Sequence, residues 1–288
     1  MSKSYDRAAE DTGNIVHLEH VNTRIPDQRI ATLFYVAGLG LTRDPYIMTS
    51  VNNMWINVGR SQFHLPTGEP QVVRGRVGIV MPGLDGLAQR LEGVQKQLEG
   101  TRFAFKARNR CVEVTSPWGN EILCHEPEER FGRTALGIPY VELDVPAGAA
   151  DGIARFYREI FDTPATVEDN CARVPVGYRQ ELIYREADVS PREYDGHHVQ
   201  VYVADFSGPH ARLKERGLVS EESDQYQYRF LDIVDPKSGD KLFTFEHEVR
   251  SLTHPLFARP LVNRNPAETN TAYAPGHEER SWALIDPR

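Results

Sequence analysis

One segment recurs four times along this chain at nearly constant spacing. The copies begin at His20 (HVNTRIPD), Gly78 (GIVMPGLD), Tyr140 (YVELDVPA) and His198 (HVQVYVAD), 58, 62 and 58 residues apart. Each reads as a short strand, a turn and the start of a helix. A fixed period of this size marks one supersecondary unit used repeatedly, and it constrains the fold more than any single motif does. The repeat also defines equivalent positions, and histidine occupies two of the four.

Each copy expands into a βαβββ pattern. In the first, Ile15 to Ile25 reads as a strand and Asp27 as the N-cap of a helix carrying Ile30, Leu33, Phe34 and Leu39, with Gly38 and Gly40 at its end. Strands are expected at Asp44–Val51, Met54–Val58 and Ser61–Leu65. The second copy runs from Val77 through a helix at 85–98 to strands near 103–106, 110–115 and 121–125. The third has a strand at 139–145, a helix at 151–161 and strands near 172–174 and 180–185. The fourth has a strand at 198–203, a helix near 209–216 and strands near 228–233 and 241–248.

The chain of 288 residues, 40% hydrophobic, suffices for two cored domains. A net charge of −8 argues against nucleic acid, which needs clustered Lys and Arg. No apolar run is long enough to span a membrane. The opening MSKSYDRAAEDTGN is polar and has no hydrophobic signal region. Three scattered cysteines, Cys111, Cys124 and Cys171, suit free thiols in a reducing compartment. Together these features predict a cytoplasmic protein whose partner is a small molecule.

The fourfold pattern resembles the vicinal oxygen chelate superfamily of glyoxalases, bleomycin-resistance proteins and extradiol dioxygenases. LFYVAGLGL (33–41) and ARFYREIFDTP (154–164) resemble its helix with a Phe-Tyr pair, and SPWGNEI (116–122) and DPKSGDKL (235–242) its turn before a module's last strand. The resemblance implies an α+β fold in which modules pair into eight-stranded cups, with metal ligands on the first and last strands of each module. Paired in sequence order, the chain divides into a leader (1–13), a first domain (14–127), a connector (128–137), a second domain (138–249) and a tail (250–288). That pairing sets Gly78 against His20 and Tyr140 against His198, one first-strand histidine per cup. The tail, with Leu256, Phe257, Leu261 and Trp282, is expected to wrap over its own domain or a partner subunit in a homodimer.

Side chains alternate faces along a strand. In 198–203 the valines Val199, Val201 and Val203 form an apolar set and leave His198, Gln200 and Tyr202 for the cup. In 140–145, Val141, Leu143 and Val145 leave Tyr140, Glu142 and Asp144. In 20–25, Val21, Thr23 and Ile25 leave His20, Asn22 and Arg24. Treated the same way, the last strands offer His64, Glu121, His125 and Glu246. The first cup then holds His20, His64, Glu121 and His125, and the second His198, Glu246 and Glu181 with Tyr140 and Glu142. Two imidazoles and a carboxylate suit a divalent ion with open positions, iron(II) preferred and zinc, nickel or manganese also compatible. Tyr140, Glu142 and Tyr202 are the candidates for proton transfer. His17 and His197 fall on the opposite face and are expected to be structural. His210, His247, His254 and His277 are expected on the surface or in the tail.

These residues imply a metal enzyme acting on a small oxygenated, aromatic substrate, with extradiol-type ring cleavage the preferred reaction. The alternatives are a metal-free binding or resistance protein and a glyoxalase-like lyase or isomerase.

Overall fold

The computed structural model describes residues 5–47, 52–188 and 192–266. Its strands are β1 (Ile15–Asn22), β2 (Thr42–Arg43), β3 (Asn53–Val58), β4 (Ser61–Pro66), β5 (Gly75–Val80), β6 (Ala104–Ala107), β7 (Cys111–Thr115) and β8 (Glu121–His125). The second half adds β9 (Gly137–Pro146), β10 (Thr166–Glu168), β11 (Cys171–Gly177), β12 (Gln180–Ala187), β13 (His198–Val203), β14 (Val219–Asp224), β15 (Gln227–Val234) and β16 (Lys241–Ser251). The helices are α1 (Gln28–Ala31, continuing as a wider turn over Thr32–Gly38), α2 (Leu84–Gln95), α3 (Ala150–Phe161) and α4 (Ser207–Glu215).

These strands build two eight-stranded mixed sheets, ordered β14-β15-β16-β13-β1-β4-β3-β2 and β10-β11-β12-β9-β5-β8-β7-β6. The four βαβββ modules and their pairing into two cups are as the sequence predicts. The partners differ from the sequential pairing. The first module shares a sheet with the fourth, and the second shares one with the third. The pairs are thus one with four and two with three, in place of one with two and three with four. Gly78 lies opposite Tyr140 in the antiparallel β5–β9 ladder, not opposite His20.

Chain contacts group the residues into two compact units, one of Met1–Leu18, Asp144–Pro191 and Val201–Phe257, the other of Glu19–Leu143, Arg192–Gln200 and Ala258–Arg288. The first is built around α3. Its Ile153, Phe156, Tyr157, Ile160 and Phe161 are buried. The Phe156 and Phe161 rings lie 5.7 and 5.4 Å from that of Phe230. Inside this core Tyr157 Oη donates to His247 Nε2 at 2.6 Å, and His247 Nδ1 donates to the Phe245 carbonyl at 2.8 Å. His247 is only 1% exposed and stacks on Phe230, so it is a core residue and not a surface one as expected. Its strand parity matches that of Phe243 and Phe245, which is why it enters the core.

In the second unit Asp27 caps α1, its carboxylate accepting from the Arg29 and Ile30 amides at 2.7 and 3.1 Å. The turn beyond is wider than α-helical, with the Leu39 amide donating to the Phe34 carbonyl at 2.8 Å. Phe34 and Tyr35 point into the core and Phe63 meets Tyr35 at 5.2 Å. Gly59 closes the β3–β4 turn at φ +68°, where a Cβ would stand 1.9 Å from the Leu136 carbonyl oxygen. The strand expected at 44–51 is not formed at its start. Asp44 instead accepts from the Tyr46 and Ile47 amides, and 48–51 lie outside the described residues.

Part of the tail packs on this same unit. Arg259 pairs with the buried Asp44 at 2.7 Å, Asn57 donates to the Val262 carbonyl, and Asn263 holds both the amide and the carbonyl of Gly59. This part of the tail packs on residues of the first module, not on the module it follows. His277 and Trp282 lie outside the described residues. Among the described residues no helix is long and apolar enough to cross a membrane.

Burial holds the His247 imidazole neutral, depressing its pKa from 6.5 to about 3. In the unfolded chain the same group protonates near pH 6.5. Between those values the unfolded state binds the extra proton, so stability is present above pH 6.5 and is lost as pH falls. The expected loss is about 1.4 kcal/mol per pH unit for each such imidazole within its window. Denaturant titrations at pH 7 and pH 5 on wild type and His247→Gln check this: the variant should show the shallower dependence on pH.

Candidate metal centre

β1 lies at the middle of its sheet, and its last turns of the pleat put His20 and Asn22 on one face. His20 is fully buried, and its Nδ1 bonds the Glu19 carboxylate at 2.6 Å. That contact places the ring proton on Nδ1 and leaves Nε2 as the atom with a lone pair to offer. A carboxylate behind an imidazole is the arrangement that orients a histidine and raises its basicity as a metal ligand. β1 runs parallel to β4 with Asn22 in register with His64, and the Asn22 amide donates to His64 Nδ1 at 2.6 Å. This fixes the other tautomer for His64, with the proton on Nε2. Across the β3–β4 ladder Trp55 is in register with His64, and its indole stacks on the imidazole at 3.8 Å.

Three imidazoles meet here. The His20 ring lies 5.4 Å from His64 and 6.0 Å from His198 on β13, with Trp55 edge-on at 5.1 Å. His20 and His198 are thus neighbours, although sequential pairing of the modules would have parted them. Each offers one ligand nitrogen to a metal ion, and the two nitrogens lie within 4.8 Å of one another. Glu248 is 3% exposed, and its carboxylate bonds Arg229 and Arg250. Two buried imidazoles, one with a carboxylate behind it, are donors that suit iron(II), zinc and nickel. The residues present fit such an ion.

The remaining candidates stand elsewhere. Glu246 bonds Arg229. Glu121 is exposed and in register with Arg76 on the second sheet. Glu142 is held by Arg76 at 2.7 Å, and Glu181 by Arg173 at 2.8 Å. Tyr202 lies among His17, His254 and Phe257, 4.9 Å from the Phe257 ring. His197 is buried and bonded to Asp195 at 2.6 Å. Glu248 was not among the residues singled out from sequence. It shares parity with Glu246 two residues earlier, and alternation alone does not choose between them.

On the second sheet the equivalent positions carry no such donors. Tyr140 lies over Gly78, where a Cβ would come within 2.4 Å of its ring. Arg130 donates to His125 Nδ1 at 3.1 Å, so His125 Nε2 carries the proton and donates to Tyr140 Oη at 2.8 Å. Burial, then the Arg130 charge, lowers the His125 pKa to about 4, and burial pushes Tyr140 up to about 12. Both groups are neutral at pH 7. The ring of Tyr140 fills the space that a second histidine would need.

No known family model matches this sequence, and no curated protein matches it. Solved structures do. A candidate dioxygenase from Bacillus subtilis superposes with a TM-score of 0.55 at 14% identity, over 84% of this chain and 86% of its own. Glyoxalase I from Zea mays gives 0.55 at 13% identity, over 82% of this chain and 92% of its own. The chain has the vicinal oxygen chelate fold. Within that fold, cups form between first strands of different modules, and here the cup with His20 and His198 is the one furnished with donors.

Substituting Gly78 tests whether the second sheet is built around Tyr140. Gly78→Ala should displace the tyrosine ring, break its bond to His125 and lower the melting temperature by several degrees, as overpacking by about 1–3 kcal/mol would. The same change should leave metal content untouched. Thermal melts and elemental analysis of the variant check both.

Proposed function

We propose that this chain is a metal-dependent enzyme acting on a small substrate with two neighbouring oxygens, and that its reaction is extradiol-type cleavage of an aromatic ring. The observation that carries this reading is the pair of buried imidazoles, His20 and His198, with ligand nitrogens within 4.8 Å of one another. A divalent ion held there would act as a Lewis acid toward the paired oxygens and, as iron(II), would add the capacity to use dioxygen.

The protein's own residues supply the rest. Glu19 holds the His20 proton on Nδ1, so that Nε2 would be the atom to hold an ion. His64, 5.4 Å from His20, has its Nδ1 occupied by Asn22 and transfers a proton at Nε2. Trp55 excludes water from that imidazole by covering its face. The second cup, with Tyr140 over Gly78, serves as a structural copy.

Elemental mass spectrometry of the untagged protein tests this. Wild type and His125→Ala should carry about one equivalent of metal after anaerobic incubation with iron(II), and His20→Ala and His198→Ala should carry none. Glu19→Gln should weaken the affinity about 10- to 100-fold. The loaded protein should open the ring of catechol in air. Metal kept by His20→Ala, or no uptake of any divalent ion by wild type, would move the assignment to a metal-free binding protein.

A further inference from the structure

Gln200 follows His198 by two positions on β13, so both side chains leave the same face of the sheet, about 6.6 Å apart along the strand. It is fully buried. Neither its amide nitrogen nor its amide oxygen has a hydrogen-bond partner among the described residues. Trp55 Nε1 is likewise buried with no partner among them, and the Trp55 ring touches both His64 and His20. Buried polar groups are almost always satisfied in native proteins, and exceptions mark function. Here two of them flank one group of imidazoles.

We propose that Gln200 and Trp55 form a substrate-recognition subsite that binds an uncharged polar substituent on the ring. This rests on the reading that substrate sits at His20 and His198. The chemistry of the substituent follows from what is offered. Gln200 presents one acceptor and a donor pair, and the indole presents one further donor. A carboxamide, which carries a donor and an acceptor on separate atoms, matches both ends of the Gln200 amide. An ionised carboxylate accepts only, so it would leave the Gln200 oxygen facing another acceptor. A plain catechol would leave Gln200 unmatched.

The test is anaerobic binding to the iron(II)-loaded full chain, by calorimetry, of catechol, dihydroxybenzamide, dihydroxybenzoate and a hydroxybenzamide lacking the second oxygen. Thermal melts of the unliganded protein accompany it. Dihydroxybenzamide should bind about tenfold more tightly than catechol or dihydroxybenzoate, the scale of one added buried hydrogen-bonding group. Gln200→Leu should erase that advantage and leave catechol binding unchanged. It should also raise the melting temperature by about 2 °C, because an unmatched buried amide is removed. Gln200→Met, closer in length, guards against a packing artefact and should behave the same way.

A lowered melting temperature in both variants would make Gln200 a structural residue and overturn the proposal. So would an unchanged binding order in the variants. If catechol binds more tightly than singly hydroxylated rings but the carboxamide adds nothing, the subsite fails and the metal-centred reading stands. If the carboxamide advantage persists in hydroxybenzamide and the second oxygen adds nothing, the subsite stands and chelation fails. Absence of binding by all four compounds overturns both.

Discussion

A strand has two edges, and this fold follows from where the edges of its first strands go. β1 pairs with β4 and β5 with β8, each in parallel, so one edge of each is closed within its own βαβββ module. The other edge still carries unpaired backbone donors and acceptors, which must find partners. The first strand of another module provides them, as β9 does antiparallel to β5. A module of this kind is therefore complete only in twos. That requirement places the first strands at the centre of the sheets, where the side chains on both faces are covered.

Which modules pair then decides the chemistry. Of the four equivalent residues, His20 and His198 lie on neighbouring strands of one sheet, and Gly78 and Tyr140 on neighbouring strands of the other. Paired in sequence order, the same residues would give each sheet a single histidine. Duplication relaxes one copy while the other keeps its donors. In the relaxed copy glycine admits a tyrosine ring, and the neighbouring His125 is neutral and committed to Tyr140 and Arg130. The same backbone geometry thus supports a donor-rich cup and a filled one.

Strand alternation made much of this legible. The valines of 198–203, the caps and the four helices were readable from sequence because each depends on residues a few positions apart. The cup face was readable too, which is why His20, His64 and His198 could be named. Pairing was not readable, since a first strand presents the same backbone edge to any module. Glu248 was hidden for a related reason: it and Glu246 have the same parity on β16, and only the position along the strand separates them. Strands β10 and β14 carry too few apolar residues (Thr166-Val167-Glu168 and Val219-Ser-Glu-Glu-Ser-Asp224) to show alternation, as suits the outer strands of a sheet. His247 misled because a histidine among phenylalanines on the core face reads as polar until Tyr157 and the Phe245 carbonyl are seen to bond it.

Alternation also explains how this fold can hold its shape at 13–14% identity to its structural neighbours. Along β13 the odd positions, Val199, Val201 and Val203, are apolar and fully buried, as a packing face requires. The even positions, His198, Gln200 and Tyr202, are free to carry chemistry, because the ladder hydrogen bonds that hold the strand do not depend on side chains. Polar residues on that face cost stability unless matched, and most of the matching is done by immediate neighbours: Glu19 for His20, Asn22 for His64, and Arg229 and Arg250 for Glu248. Each match also fixes a tautomer or orients a donor, so the contacts that make the polar face tolerable are the ones that make it selective. Gln200 departs from that pattern on the same face, and the proposed subsite gives its amide a partner that the described residues do not.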